Sequence, residues 1–208
     1  MAIPSQQIGW SQKAKLLWNI SKQLETLIKV AGNVVITPTT TTTTTVAPIY
    51  TVGELALGGI IAYILEPGDP GYDANVQHGF VLTANDVVEG GTVWGCVGTD
   101  ISGADSTDIG TGAQNTVDIV NGCPDAGIAA KLCLDLVESG YSDWYLPSRD
   151  ELAKVYLNRE IIGGIPNGNY WSSSELNADD AWHVNFLNGD IITNNKVFGF
   201  GVRAIRSF

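Results

Sequence analysis

Few side chains in this sequence have the chemistry of a catalyst, and their spacing matches no common catalytic motif. Two histidines, His78 and His183, are the candidates for a general base near neutral pH. The sequence has no nucleophile elbow, no His-Glu-x-x-His and no phosphate-binding Gly-Lys-Ser/Thr. The glycines on either side of Thr111 lack the lysine of a phosphate-binding loop, so we expect a turn there. We therefore predict that the protein is not an enzyme.

Acidic residues offer two further kinds of chemistry. Asp143, Asp150 and Glu151 are candidates for the paired carboxylates of glycoside hydrolysis. Asp150 and Glu151 lie at the start of a predicted helix, where they complement the helix dipole, and we favour that structural role. We predict no cofactor, with a structural calcium ion as the alternative. The acids that would hold calcium match no loop of known ligand spacing: Asp100, Asp105 and Asp108.

The three cysteines, Cys96, Cys123 and Cys133, are an odd number and lack the paired Cys-x-x-Cys spacing of a zinc site. We expect no metal at these positions. We interpret the cysteines as buried thiols, with one disulfide as the alternative.

Aromatic and amide side chains crowd the C-terminal third of the chain, where seven asparagines lie between residues 167 and 195. Strict alternation over residues 181–187 places aromatic residues on one face of a strand and His183 and Asn185 on the other. Asn188-Gly189 is a strong turn dipeptide, so this strand begins a hairpin. Four aromatic residues are expected in the core: Trp144, Trp171, Trp182 and Phe186.

The polar face of this hairpin is the predicted binding surface. Planar amides beside aromatic rings suit hydroxyl-rich ligands such as sugars, and they equally suit protein surfaces. The alternative is that the asparagines satisfy turns. The predicted ligand-binding residues are Tyr170, His183, Asn185, Asn188, Asn194 and Asn195.

A domain of mixed elements must position these residues, and we place it from residue 50 onward. Short apolar stretches broken by glycine are typical of strands and turns. Two helices are expected at 128–138 and 148–158, and in the second Ser148 and Glu151 stand at capping-box spacing. Because strands and helices are separated along the chain, the predicted fold class is α+β, with antiparallel strands and two helices.

The N-terminal segment predicts a further helix, separate from the C-terminal domain. No proline or glycine interrupts residues 11–31, and apolar residues recur at steps of three, four and seven, which is typical of a short coiled coil. Three heptads are marginal alone, so we expect this helix to dock on a partner or to join copies of the chain into a homotrimer. A helix folded onto its own domain is the alternative. The predicted anchor residues are Trp10, Leu17, Trp18, Ile20, Leu24 and Leu27.

A run of threonines at 39–45, with Pro38 and Pro48 beside it, separates the helix from the rest of the chain. The run has no apolar face to bury, and β-branched residues with flanking prolines favour an extended chain. We therefore predict three parts. They are an anchor or oligomerisation helix at 1–32, a Thr/Pro-rich linker at 33–49 and a C-terminal domain at 50–208.

The charge of the chain limits its partners. The formal net charge is −11, although residues 1–50 carry four lysines against one glutamate. Such an acidic surface repels nucleic-acid phosphates and anionic lipid. No apolar run reaches the roughly 18 residues that span a bilayer, and the first fifteen residues lack the apolar core of a secretory signal. We expect no nucleic-acid partner, no membrane insertion and synthesis in a cytoplasm without general secretion.

Seven segments of the C-terminal domain, in a characteristic order, carry a family resemblance. They are GCVGTDISGA at 95–104, IGTGAQNT at 109–116, IAAKLC at 128–133, GYSDWYLPS at 140–148, YWSSSE at 170–175, AWHVNF at 181–186 and VRAIR at 202–206. They resemble the DUF1566 family, the domain at the C-terminus of the Legionella collagen-like adhesin. The resemblance covers roughly residues 50–208.

The resemblance implies a C-type-lectin-like fold and a trimer-prone domain for adhesion or receptor binding. In some relatives substitutions accumulate in the interval that corresponds here to 176–201. The calcium-dependent sugar motifs of true C-type lectins, Glu-Pro-Asn or Gln-Pro-Asp followed by Trp-Asn-Asp, are absent from this sequence.

The first 27 residues resemble the start of many tailed-phage proteins found beside structural genes. Together the two resemblances imply a virion structural protein, a fibre or a decoration on the virion surface. Its N-terminal helix would contact other virion proteins, and its lectin-like head would attach to a host-surface glycan or protein. The alternatives are a purely structural cement component of capsid or tail, and a bacterial surface adhesin.

Overall fold

The computed structural model describes residues 12–30 and 48–208, and the chain divides into two compact units, Met1–Val46 and Ala47–Phe208. In the first unit, helix α1 runs over Gln12–Val30, as the uninterrupted apolar repeat predicts. Within the described ranges, every helix is too short or too polar to cross a bilayer. The predicted linker at 33–49 falls outside the described residues, except at positions 48 and 49.

The first sheet of the C-terminal unit is antiparallel, with strands in the order β1-β2-β3-β7. The strands are β1 (Leu55–Ala56), β2 (Gly59–Ile64), β3 (Gly79–Leu82) and β7 (Ile205–Ser207). The central strands β2 and β3 are apolar along nearly their whole length, and they are buried on both faces. Because β7 pairs with β3, the sheet joins the start of the unit to its end.

The second sheet holds the predicted hairpin. Its strands, in the order β4-β5-β6, are β4 (Asn169–Glu175), β5 (Asp180–Asn185) and β6 (Ile191–Asn195), all antiparallel. The turn between β5 and β6 contains Asn188 and Gly189, as predicted. Gly189 has a φ of 85°, and an added Cβ there would lie 2.5 Å from the ring of Tyr156, so glycine is required for two reasons.

Helices cover these sheets, and the described part of the unit has four of them where the sequence predicted two. They are α2 (Gly112–Gly122), α3 (Ala129–Leu134), α4 (Arg149–Leu157) and α5 (Arg159–Ile162). The predicted pair is α3 and α4, and the capping box of Ser148 and Glu151 at the start of α4 is confirmed. The mixed α+β class is confirmed as well.

Helix α2 was missed because its inward face is polar. Asn115 and Thr116 are buried on that face, and Thr116 Oγ1 accepts a hydrogen bond from the amide of Leu146 at 3.0 Å. Such a helix has no clear apolar repeat in the sequence. The turn expected at 110–112 exists, since Gly110 has a φ of 90°, but it leads directly into α2.

Two apolar clusters form the core of the C-terminal unit. One contains Trp94, Trp144 and Trp171, all nearly inaccessible to solvent, and the other contains Phe186 beside α4. The prediction of core positions for Trp144, Trp171 and Phe186 is therefore confirmed. Trp182 is only half-buried, because it lies on the outer part of the hairpin with the guanidinium of Arg149 5.2 Å from its ring centre.

The cysteines differ from the interpretation that we favoured. Cys96 and Cys123 form a disulfide, which links the segment after Trp94 to the end of α2. Cys133 alone is a buried thiol, and burial raises its pKa. The alternative of one disulfide is therefore correct, and the expectation of three thiols is wrong.

Candidate binding site

Two of the predicted ligand-binding residues lie in the core instead of on an exposed face. Tyr170 and His183 are almost inaccessible to solvent. The two residues lie on opposite faces of the sheet, because Trp171 and not Tyr170 pairs with His183. The ring of Tyr170 packs on that of Phe186 at 4.8 Å. His183 is covered by the chain after β6, which folds back so that the ring of Phe200 lies 4.7 Å from that of His183 and 4.4 Å from that of Trp171. Alternation along one strand places His183 away from Phe186, but it cannot reveal a later segment that covers it.

The environment of His183 agrees with a structural role. Burial lowers the pKa of its imidazole, and its Nδ1 atom is buried without a hydrogen-bond partner. The ring also lies edge-on to Trp171 at 5.8 Å between centres. A neutral, enclosed imidazole packs as an aromatic residue and does not contact a ligand.

The four predicted asparagines remain accessible, but each one also supports a local turn. The Oδ1 atom of Asn185 accepts the amide of Leu187 at 2.8 Å, and that of Asn188 accepts the amide of Asp190 at 3.1 Å. Asn194 and Asn195 accept backbone amides one and two residues ahead in the same way. Asparagine favours such turns because its side chain substitutes for a backbone carbonyl. Ligand contact by these residues stays a prediction.

The hairpin also separates these asparagines into two pairs. Asn185 lies opposite Asn169 at the end of the sheet that contains the turn, with Asn188 in that turn. Asn194 and Asn195 lie at the other end, opposite Ala181 and Asp180. The predicted face is therefore not one site, and a ligand of ordinary size contacts one end of the sheet or the other.

The end that contains Asn169 has an open cleft of about 370 Å³. Small-molecule sites commonly have volumes of roughly 300–1,000 Å³. Three segments line the cleft: the loop at 86–91, the segment at 166–170 that enters β4, and the returning segment at 199–201. The amide of Gly201 donates to the carbonyl of Asn169 at 2.9 Å, and the amide and carbonyl of Phe200 pair with Thr92. These backbone bonds hold the three segments together.

Asp86 is the charged side chain in this cleft, and the fold fixes its position. Arg203 donates from Nε to Asp86 Oδ1 at 2.6 Å, and the hydroxyl of Tyr170 lies 3.3 Å from both carboxylate oxygens. The other nitrogens of Arg203 donate to the carbonyls of Thr83 and Gly164 at 2.8 and 2.7 Å. Burial, with the nearby charge of Asp86, raises the pKa of Tyr170 to about 12, so its hydroxyl stays protonated and donates.

Glycines give the cleft its shape. An added Cβ at Gly91 would lie 2.5 Å from the carbonyl oxygen of Phe200, and one at Gly201 would lie 2.6 Å from the ring of Tyr170. These two positions therefore require glycine for close packing. Gly168 and Gly199 differ, because an added Cβ there meets no atom within 4 Å.

The chemistry of this lining is that of a binding site. Asp86 and Tyr170 are its ionisable side chains, and both are committed to hydrogen bonds within the fold. Asn169 also lines the cleft, and its Oδ1 atom is buried without a hydrogen-bond partner. Phe200, which is half-buried, lines the cleft as well. A carboxylate, an amide and an aromatic edge recognise polar groups on an otherwise apolar ring.

The comparison with protein families identifies the domain that builds this cleft. The family model of the Lcl C-terminal domain matches residues 89–206, which is more than half of the chain. The chain belongs to this family. Membership of the Lcl C-terminal domain family indicates a surface adhesin-like domain. No curated protein matches the sequence.

The Lcl C-terminal domain supplies most of the cleft, including Tyr170 and Phe200, and it also supplies Arg203, which bonds Asp86 from within the fold. Asp86 lies just before the matched residues, and sequence analysis missed its role. The available signal was indirect: Arg203 is one of two arginines among the apolar residues of the VRAIR motif, and a buried arginine requires an acidic partner. Because the two residues are 117 positions apart, the sequence cannot say that Asp86 is that partner.

A second cavity, of about 240 Å³, lies near the C-terminus and contains His78 and Glu151. Glu151 is fully used by the fold, since its carboxylate accepts the amides of Ser148 at 2.7 Å and Gly110 at 2.9 Å. Burial raises the pKa of Glu151. His78 Nδ1 lies 3.1 Å from the carbonyl oxygen of Phe208. Because this cavity is smaller than the cleft and lies below the usual range of roughly 300–1,000 Å³ for small-molecule sites, it is the weaker candidate.

The acids considered earlier have structural partners or lie apart. Asp143 forms a two-point ion pair with Arg206, at 2.7 and 2.8 Å, which lowers its pKa, and Asp150 bonds Arg149. Within the described residues, the one cluster with ligand atoms close enough for a metal is Cys96, Cys123 and Asp125. Two members of that cluster form the disulfide. The acids proposed for a calcium ion do not form such a group in the described part of the chain: Asp100, Asp105 and Asp108.

The anchor residues of α1 lie on a helix whose apolar side chains face solvent. Leu17, Ile20, Leu24 and Leu27 are all exposed, and Trp18 is half-buried. Trp10 lies outside the described residues.

Proposed function

We propose that the protein is a non-enzymatic attachment protein of a tailed-phage virion, a fibre or a decoration. Its C-terminal domain contacts a glycan or protein on the host surface, and its N-terminal helix holds it on the particle. The observation that carries this proposal is the match of residues 89–206 to the Lcl C-terminal domain. The open cleft of that domain, whose ionisable side chains Asp86 and Tyr170 both take part in hydrogen bonds of the fold, supports binding over catalysis.

Helix α1 supports the second half of the proposal. Its exposed leucines and isoleucine recur at near-heptad spacing, and such a seam is stable only when other helices cover it. We propose that three copies of the chain associate through this seam, and that the assembled helices contact other virion proteins. The resemblance of the first 27 residues to tailed-phage proteins favours the virion, and the chain is then made in the host cytoplasm and displayed on the virion surface.

The anchor role can be tested with two pairs of substitutions that add the same charge. Leu17→Asp with Leu24→Asp places carboxylates in the apolar seam, whereas Asn19→Asp with Gln23→Asp places them at exposed polar positions of α1. We expect the first pair to abolish trimerisation and incorporation into particles, measured by light scattering and by immunoblots of purified particles. The second pair should retain both. Incorporation of the first pair at the normal level would contradict the anchor role.

The attachment role requires a separate measurement. Fluorescently labelled full-length chain should bind cells of the bacterium whose lysate yields the particles, and an excess of unlabelled chain should displace it. No saturable binding would contradict the attachment role.

A second candidate function, a cement that packs against neighbouring virion proteins, is favoured by the outer strand of the hairpin. Ile191 and Ile192 on β6 are exposed, and so are Val197 and Phe198 just beyond it. Exposed apolar residues on an edge strand are typical of a protein interface. Cryo-electron microscopy of particles separates the two functions, because a cement buries this edge and an attachment protein leaves the cleft in solvent.

A further inference from the structure

We infer that the cleft between residues 86–91, 166–170 and 199–201 is a subsite for an uncharged sugar ring, with Asp86 as its principal hydrogen-bond acceptor. This inference rests on the proposed attachment function and specifies its ligand. It also moves the contact away from the asparagine face predicted from the sequence, to a site centred on residues that the sequence did not single out.

The first argument is the state of the Asp86 carboxylate. Arg203 and Tyr170 approach from within the fold and fix the carboxylate in one position, with the closest contact at Oδ1. A carboxylate has about four lone-pair sites, so Oδ2 retains acceptor capacity toward the cleft. The side chain of Asp86 is 27% exposed, whereas that of Arg203 is 2% exposed. A ligand therefore meets a fixed acceptor, and hydroxyl groups are the matching donors.

The second argument concerns the other lining groups. Asn167 and Asn169 line the same wall, and Asn167 is exposed, whereas the Oδ1 atom of Asn169 is buried. An amide both donates and accepts, which matches a hydroxyl group in either role. Phe200 also lines the cleft, but its ring packs on Trp171 and His183; the exposed ring of Phe198 lies beside it, with its plane nearly parallel at 6.1 Å. The apolar C–H face of a sugar packs on such rings.

The third argument is charge, and it selects among sugars. The lining residues include neither lysine nor arginine. The nearby Arg203 is buried, and each of its nitrogens donates a hydrogen bond within the fold, to Asp86 or to the carbonyls of Thr83 and Gly164. The chain as a whole carries a net charge of −11. A sulfate or carboxylate in the cleft would lack a cationic partner and would face the acceptor of Asp86. We therefore exclude acidic sugars as the preferred ligands.

The experiment uses full-length protein and saturation-transfer difference NMR with four probes. Two are neutral, methyl glucoside and methyl mannoside, and two are acidic, glucuronic acid and N-acetylneuraminic acid. We expect at least one neutral glycoside to receive saturation from the protein and the acidic sugars to bind about tenfold more weakly. Equal or stronger binding of the acidic sugars would overturn the inference.

Two open glycine positions allow the cleft to be blocked without strain. Gly168→Leu and Gly199→Leu each add a side chain where no neighbour lies within 4 Å of the Cβ. We expect each to weaken binding of the neutral glycoside by about tenfold or more. Asn121→Leu, at an exposed position on α2, adds the same side chain elsewhere and should bind like the native chain. Undiminished binding by both cleft variants would overturn the inference.

The inference and the proposed function fail in different ways. If the chain binds cells but no neutral glycoside, the sugar subsite is wrong and the attachment function stands. If neutral glycosides bind and the leucine variants block them, but the chain does not bind cells, the subsite stands and the attachment function is wrong.

Discussion

Two buried cations lie in the hairpin region of this domain, and they have the same kind of partners. The ammonium of Lys196 donates to the carboxylate of Glu175 and to the carbonyls of Thr99 and Ala178, both at 2.9 Å. The guanidinium of Arg203 likewise donates to one carboxylate, that of Asp86, and to two backbone carbonyls. Each cation joins three segments that are distant in sequence.

The two clusters differ in the exposure of the carboxylate. Glu175 is 2% exposed and also accepts the amide of Ile101 at 2.8 Å, and the ring of Trp94 lies against Lys196. Asp86 opens onto the cleft. A sealed ion pair with every donor and acceptor satisfied only fixes structure, whereas the open one fixes a group that a ligand can reach. The same arrangement therefore fixes structure at one end of the sheet, and at the other it fixes the carboxylate that we propose as the ligand contact.

The largest expected effect comes from breaking the sealed cluster. Lys196→Met leaves Glu175 as an unpaired buried carboxylate, and breaking a buried ion pair in this way costs about 3–5 kcal/mol. Urea unfolding measures this loss of unfolding free energy. The double variant Lys196→Met with Glu175→Gln removes the orphaned charge and should recover much of it. A single variant as stable as the native chain would show that the cluster does not hold the three segments.

The disulfide offers a second way to loosen the sealed cluster without touching the open one. The segment from Cys96 to Ile101 supplies Thr99 and the amide that bonds Glu175. Cys96→Ser with Cys123→Ser should lower the unfolding free energy by about 2–4 kcal/mol, mainly by releasing a constraint on the unfolded chain. Sugar binding by the remaining folded protein should not change. A loss of binding would show that the two ends of the sheet are coupled.

The open cluster should be more tolerant of substitution. Asp86→Asn keeps an oxygen for Arg203 but removes the charge, and charged hydrogen bonds contribute about 1.5–3 kcal/mol. We expect a smaller loss of stability than in Lys196→Met, together with weaker sugar binding. Calorimetry and NMR titration measure the two effects. If the substitution lowers the unfolding free energy but leaves sugar binding unchanged, Asp86 has the same purely structural role as Glu175.

The smallest effect concerns His183, which lies on β5 opposite Trp171 of the neighbouring strand β4. Burial lowers the pKa of this imidazole, so below its ordinary value of about 6.5 the unfolded chain binds more protons than the folded chain. The contribution of neutral His183 to the unfolding free energy should be fully present above about pH 6.5, and it should decrease as the pH drops through that value. His183→Phe should remove this part of the dependence of the melting temperature on pH. An unchanged profile would mean that other groups cause it.

Several structural elements could be predicted from residues that lie close together in the sequence. The capping box of Ser148 and Glu151 and the turn at Asn188-Gly189 depend on residues within four positions of each other, so one sequence contains the whole signal. The apolar repeat of α1 is local in the same sense. Each of these predictions is confirmed.

The features that build the candidate site depend on long-range contacts and were missed. Asp86 meets Arg203 across 117 residues, and Cys96 meets Cys123 across 27. The burial of His183 depends on Phe200, which returns only after another strand has been added. A pattern along a single strand contains no information about such partners. Of the predicted ligand-binding residues, His183 therefore lies beneath a later segment and Tyr170 lies in the core, whereas the four asparagines remain accessible.

The short segment between Lys196 and Phe200 is an exposed loop whose two ends are fixed by the fold. Residues 197–199 are exposed, whereas Lys196 is held by its buried ammonium and Phe200 by two backbone bonds to Thr92. Both ends of the segment are thus fixed by residues outside it, and neither of its two side chains, those of Val197 and Phe198, belongs to the core. A library of sequences at these three positions would vary the rim of the cleft while the scaffold stays folded, which gives the domain an evolvable specificity loop comparable to those of antibodies.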